Sequence, residues 1–298
     1  MTTIQFSETD DPIDIRYDNV FKAVFTRDTP ASQGALSNLV SALIDRKVSI
    51  ISINANEPPA DDIRDRRIRF DINCKAENGE LINVEMSLNP DPFEPVRLEY
   101  YAGKLFTSQD IRGSEKDYDD LKEAYQITIL AKERFFKDGS FTHTFEYYDP
   151  VHKVKLNGKS RIITVELSKL AKVAEKPVEE MSLKEYWAVY FRYLTDKGKR
   201  EKINEILERE EGIAMASEVL MTISRDEVER ARLMSEYKYE LDAQSKLVHA
   251  KREGIKEGEQ RGIKKGREEI ARKMKVRGRP IDEIAEDTGL EPKTIETL

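Results

Sequence analysis

Apolar residues recur at helical spacing near the start of the chain, where Val20, Phe21, Val24 and Phe25 fall on one side of a 3.6-residue period. They predict an amphipathic helix over 15–26 with Asp14 as its N-cap. A second helix is expected over 32–47. The period then changes: Val48, Ile50, Ile51 and Ile53, then 68–75, then 81–88 alternate and are rich in β-branched residues, so three short strands are expected. Pro58-Pro59 falls in the loop between the first two. Helical spacing returns after Pro95 through Arg97, Tyr101, Lys104, Leu105 and Ser108, and 125–130 reads as a more buried strand. Further strands are expected at 141–148 and 161–167. Two helices, three strands, a helix and more strands predict an α/β domain with a mixed central sheet flanked by helices.

Beyond residue 170 the pattern is almost wholly helical, and Trp187, Tyr190, Phe191 and Leu194 form an apolar stripe that reads as core. Gly254, Gly258, Gly262 and Gly266 then recur every four residues inside a charged segment, a short local repeat. The expected division is a core over 1–170, a helical region over 171–244, a charged glycine-spaced helix over 245–279 and a short tail over 280–298. Segment 245–279 carries 13 Lys or Arg against 5 Glu, a net of +8 that can contact phosphates, and its helix is also a candidate for self-association. The tail reads as two short helices around Thr288-Gly289, similar to part of a helix-turn-helix, although no third helix is evident. Asp282, Glu283, Glu286 and Asp287 count against specific DNA reading by it.

Composition narrows the chemistry. Fifty Lys and Arg against 57 Asp and Glu give a net charge of −7, which excludes a uniformly basic nucleic-acid coat and leaves local basic surfaces open. One cysteine, Cys74, and three histidines, His143, His152 and His249, supply neither a disulfide framework nor a Cys/His zinc site. Any metal must therefore sit on oxygen ligands, and Cys74 reads as a small buried hydrophobe. No leader-like segment opens the sequence and no stretch is apolar for long enough to span a bilayer, so a cytoplasmic protein without a membrane partner is expected.

The chemistry concentrates in one hairpin, 68–74 against 82–88, joined through Glu77-Asn78-Gly79. A three-residue loop centred on Asn78 pairs Phe70 with Met86, Ile72 with Val84 and Cys74 with Ile82 on a uniformly apolar face. The same register sets Asp71 opposite Glu85, Asn73 opposite Asn83 and Arg69 opposite Ser87 on the polar face. A two-residue loop would mix the faces and bury charge. Two carboxylates directly across a strand pair repel each other, so they need a cation or a raised pKa.

Asp71 followed by Glu85 in the next strand resembles the D…E-x-K core of the PD-(D/E)XK nuclease superfamily. Asp18-Asn19-Val20-Phe21-Lys22 is similar to the opening D-x-x-F-K of its recombination-promoting nuclease and transposase family, and Asn83-Val84-Glu85-Met86 to that family's (N/D)-(I/V)-E-M strand. Arg97 with Tyr100-Tyr101, the strand after Leu121, the glycine-spaced helix and the ending 284–290 resemble the family in the same order, so the likeness covers nearly the whole chain. It implies a restriction-endonuclease-like core and hydrolysis of DNA phosphodiesters with Mg²⁺ or Mn²⁺. Asp71 and Glu85 would hold the ion, and Asp18 would complete its shell directly or through water. Ser87 departs from the pattern, because the family has Gln or Lys there and serine is short and never cationic. Arg69, Lys22 and Gln109 are the candidates to fill that place, with Arg69 favoured by the register. The competing reading is a nuclease fold that has lost catalysis and binds nucleic acid or a protein partner; a coiled-coil adaptor would leave the hairpin unexplained.

Overall fold

The computed structural model describes residues 4–54, 69–89, 93–111, 116–132 and 135–298. Pro58, Pro59 and Ile68 lie outside the described residues. The first helix, α1, runs Asp18–Phe25, and the second, α2, runs Pro30–Ile44. Thr29 caps α2 by accepting the Ser32 N–H at 3.2 Å, and Pro30 presets the first helical φ. Asp14 does not cap α1. Its carboxylate takes the backbone N–H and guanidinium of Arg16 instead, and Tyr17 enters α1 in extended conformation without a side-chain cap.

Six strands form one sheet in the order β1-β2-β3-β4-β8-β5, with β1 Ile50–Ile53, β2 Ile72–Ala76, β3 Leu81–Ser87, β4 Ala124–Leu130, β5 Thr142–Phe145 and β8 Ser160–Glu166. The expected strand 141–148 stops at Phe145 and resumes in a separate two-strand ribbon of β6, Tyr148–Asp149, with β7, Val154–Lys155. The pairs β1/β2, β2/β3 and β5/β8 are antiparallel, whereas β3/β4 and β4/β8 are parallel. The mixed sheet flanked by helices is the architecture expected from the sequence.

The β2/β3 hairpin has the register set by its alternation: Ile72 opposite Val84, Asn73 opposite Asn83 and Cys74 opposite Ile82. The turn closes with Gly79 N–H on the Ala76 carbonyl at 2.9 Å, and Gly79 takes a φ of 91° that a β-carbon would strain. The register does not continue to Phe70. The chain bends at Asp71, and Phe70 packs with Leu105, Ala124 and Tyr101 on the opposite side of the sheet from Met86.

Ile72, Cys74, Ile82, Val84 and Met86 face the main core, shared with α1, α2, α4 (Leu183–Tyr193), α5 (Arg200–Arg209) and α6 (Glu211–Arg225). The helical region expected over 171–244 thus builds the same core as the sheet. Trp187 lies 5.8 Å from Phe25 and Phe191 lies 5.9 Å from Phe21, ring centre to ring centre. Among the described residues the other face carries one helix, α3, Glu94–Thr107, with a small apolar cluster around Phe70 and Leu105. Beside that cluster the same face buries Asn83, Glu85, Gln126, Thr128, Thr164 and Glu166, each at most 2% exposed. Buried polar groups in such number need partners, and this face is where they gather.

The chain divides into two units, Met1–Tyr237 and Lys238–Leu298. The long helix α7, Glu227–Val276, contains the charged helix expected over 245–279, which stops at Val276, and its end supplies the third helix that was not evident for the tail. Its Ala271 and Met274 pack with Ile284 of α8 (Ile281–Thr288) and Ile295 of α9 (Pro292–Thr297). Gly289 ends α8 in the left-handed region with its N–H on the Ala285 carbonyl, and Lys275 Nζ donates to the Ile295 and Glu296 carbonyls at the end of α9. A β-carbon added at Gly254, Gly258, Gly262 or Gly266 would meet nothing within 4 Å among the described residues. No helix among them is long and apolar enough to cross a membrane.

Because Trp187 is fully buried and donates its indole N–H to Asn38 Oδ1 at 2.8 Å, Trp187→Ala is expected to cost about 3–5 kcal/mol. Denaturant unfolding monitored by far-ultraviolet circular dichroism should lose that stability in the transition that also melts the sheet. A separate early transition of the helices alone would contradict the shared core.

Candidate active site

The site grows from the break in β2. A continued ladder would give the Met86 N–H to the Phe70 carbonyl, since the β2 residues hydrogen-bonded to β3 are the even ones, as in Ala76 N–H to Glu80 O. At the bend the Asp71 carboxylate takes that N–H instead, Oδ2 to N 3.1 Å. Asp71 is thereby anchored beside Glu85, the buried residue preceding Met86 on β3, and its other oxygen remains for the interior.

Two cations answer the two acids. Lys22, one turn after Asp18 on α1, places Nζ 2.8 Å from Asp18 Oδ2 and 3.0 Å from Asp71 Oδ1. Arg97 on α3 lies with Nη2 3.5 Å from Glu85 Oε2 while its fork grips Glu94, Nη2 to Oε1 2.6 Å and Nε to Oε2 3.2 Å. Its guanidinium also covers the Tyr101 ring at 5.2 Å, and that ring meets Phe70 edge-on at 5.8 Å. Asn83 donates one amide to both Glu85 Oε1, 3.1 Å, and Gln126 Oε1, 2.8 Å, and Gln126 donates on to Thr128. The parallel register that sets Asn83 beside Gln126 and Glu85 beside Thr128 produces this chain.

The electrostatics are unbalanced. Burial first, and the Asp18 charge second, push the Asp71 carboxyl well above the usual carboxylate range, and the Lys22 ammonium only partly offsets them. Burial, then Asp71, push Glu85 up as well, against a weaker pull from Arg97. The Lys22 ammonium is itself favoured by Asp71 and Asp18 over the cost of its burial, so Lys22 stays charged. Glu85 Oε2 is buried and accepts no hydrogen bond among the described residues. Two buried carboxylates with one orphaned oxygen and raised pKa values are a fit for a further positive charge.

Among the described residues no three His, Cys, Asp or Glu side chains already stand together as a metal cage. Asp71 and Glu85 nonetheless have the donor chemistry for Mg²⁺ or Mn²⁺, because a hard, strongly hydrated ion takes one or two carboxylates and completes its shell with water and phosphate oxygens. Asp18 gives Oδ2 to Lys22, while its buried Oδ1 accepts no hydrogen bond among the described residues and is the oxygen left to face such an ion directly or through water.

The remaining candidates separate. Ser87 ends β3 half-buried, and its carbonyl accepts the Ala131 N–H. Arg69 is exposed ahead of the bend, outside the paired register that was expected to set it opposite Ser87. Gln109 does not reach the site: its amide holds the Lys122 backbone, accepting the N–H at 2.8 Å and donating to the carbonyl at 3.0 Å. Lys122 precedes Thr128, the neighbour of Glu85, by six residues, roughly 20 Å along an extended strand. Glu166 spends its carboxylate on the backbone N–H groups of Phe135 and Phe136 and on Lys169 Nζ at 2.5 Å, a structural staple. Glu94 and Gln126 were not legible as site residues, and Arg97 was legible only through the family likeness. Gln126 carries a trace in the sequence, a polar residue inside an otherwise apolar strand.

The sequence model of the PD-(D/E)XK nuclease family transposases matches residues 15–250. The chain belongs to that family. The matched span contains every residue of the site, from Asp18 on α1 through Glu85 on β3 to Arg97 on α3. No curated protein and no solved structure matches the chain.

A pH-dependent stability follows. A carboxyl whose folded pKa is raised binds protons more tightly folded than unfolded, so its penalty is absent below about pH 4 and grows as pH rises into the neutral range. Asp71→Asn keeps an oxygen for the Met86 N–H and removes the charge. In chelator its melting temperature should exceed that of the parent at pH 8, with the gap closing toward pH 5; a parent more stable at pH 8 would contradict the repulsion.

Proposed function

We propose that this nuclease-family chain is a DNA endonuclease that hydrolyses phosphodiesters with Mg²⁺ or Mn²⁺ held by Asp71 and Glu85. The observation that carries the reading is the buried, mutually repelling carboxylate pair with its orphaned Glu85 oxygen, set at the break of the hairpin. A divalent cation bound there would polarise a phosphate and lower the pKa of an attacking water. Everything else falls to the chain. Asn83 fixes the Glu85 carboxylate from one side, and the Met86 N–H fixes Asp71 from the other. Lys22, charged and bridging Asp18 and Asp71, takes the place that Ser87 leaves empty; its Nζ orients water and holds a proton at that atom. Arg97 turns from Glu85 to the phosphate and stabilises the charge that builds on it. The basic segment 245–279 adds sequence-independent contacts to DNA. Cytoplasmic work and self-association through the C-terminal helix complete the proposal.

The alternative is a nuclease fold that binds DNA without cutting it, and Ser87 is the residue that favours it. Supercoiled plasmid incubated with Mg²⁺ or Mn²⁺ decides between the two. Cutting should fall below detection in Asp71→Ala and Glu85→Ala and by about 10²–10³ in kcat for Lys22→Ala or Arg97→Ala. Plasmid that is bound by the parent and never cut would overturn catalysis and leave the binding reading standing.

A further inference from the structure

A cavity of about 260 Å³ opens on the α3 face of the sheet, walled by Ala102, Gly103, Ile162 and the rings of Phe136, Phe145 and Tyr147. Its floor is in register with the site. Ile162 lies level with Gln126 and Asn83, one step along the strands from the row of Glu85, Thr128 and Thr164. Strand spacing and rise put that floor on the order of 12 Å from Glu85.

Three features say what the space accepts. Gly103 sits within α3, where glycine weakens a helix, yet a β-carbon built on it meets nothing within 4 Å among the described residues. Packing against the described residues therefore does not require the glycine, and its absent side chain leaves the cavity open. The walls are aromatic and held in place: Phe136 and Phe145 lie 5.2 Å apart, the His143 ring lies tilted 4.7 Å from Phe136 and stacks 5.9 Å from Phe145, and Glu166 grips the Phe136 N–H at 3.2 Å. Among the described residues the lining offers a phosphate no basic side chain, only Glu99 and a Glu146 already paired with Lys155 at 2.5 Å and Arg161 at 2.9 Å, so an anionic backbone stays outside and an uncharged ring enters. The volume falls just under the ~300 Å³ where pockets for larger ligands begin, which suits one planar ring system.

We infer that this cavity receives an unpaired base of the DNA strand being cut, so the preferred substrate is single-stranded or locally opened DNA. The inference rests on the nuclease reading, since nucleic acid brings such rings to this face. Bases in a duplex are stacked and cannot enter, whereas an unstacked base gains an aromatic platform. The site a few nucleotides away then acts on the same strand.

Fluorescence anisotropy in Ca²⁺ buffer tests it, with a fluorescein-labelled 12-nucleotide DNA strand, the same strand made abasic, and the blunt duplex. The parent should bind the intact strand about tenfold or more tightly than the abasic one. Gly103→Leu, which fills the cavity from open space, and Phe145→Ala, which removes a wall, should each bring that ratio near one while circular dichroism reports an unchanged fold. A parent ratio near one, or a ratio that survives Gly103→Leu, overturns the inference. Equal binding of all three DNAs with cutting abolished by Glu85→Ala removes only the base pocket; no binding of any of them removes the nuclease reading too.

Discussion

Everything in the site depends on one substitution of partners, the Asp71 carboxylate accepting the Met86 N–H that a regular ladder would give to a backbone carbonyl. It ends the β2/β3 pairing at Ile72 and Val84, three pairs short of the expected Arg69 and Ser87, and has two consequences. Asp71 is drawn into the interior beside Glu85, where both carboxyls are held above their ordinary range. Phe70, released from the register, crosses to the α3 face and backs the Tyr101 ring on which the Arg97 guanidinium lies. The same bend therefore places an acid and, through two rings, positions a cation.

The division of the sheet into two faces makes this affordable. One face is closed by the aromatic core of α1, α2, α4 and α6, which supplies the stability of a large apolar interior. The other is covered, among the described residues, by the one helix α3 and can hold polar residues that would weaken a continuous core. The buried polar row is thus confined to one side of the sheet, with the strand order bringing Glu85, Thr128 and Thr164 into line, while Asp18 and Lys22 reach Asp71 from α1, which packs on the core face.

The sequence made the hairpin legible because alternation and the Glu77-Asn78-Gly79 turn leave one register that keeps charges off the apolar face, and the turn geometry agrees. It could not show where that register stops, because a side chain competing with a backbone acceptor leaves no mark on periodicity. Arg69 opposite Ser87 failed for that reason. Gln109 was misplaced because its distance along the chain says nothing of which end of the next strand it meets; its amide is spent on the Lys122 backbone. Glu94 and Gln126 reach the site only through the parallel β3/β4 crossover, a long-range feature. The third helix of the C-terminal unit was hidden inside α7, where Ala271 and Met274 are sparse among charges.

The buried pair of Asp71 and Glu85 calls for a divalent cation. Titration calorimetry of Mn²⁺ into the full chain at pH 7, repeated in buffers of different ionisation enthalpy, tests it most directly, since binding must displace the protons that the raised carboxyls retain. Mn²⁺ uptake with net proton release is expected, lost in Glu85→Gln and in Asp71→Asn. Uptake unchanged in both variants, or no uptake by the parent, would contradict it.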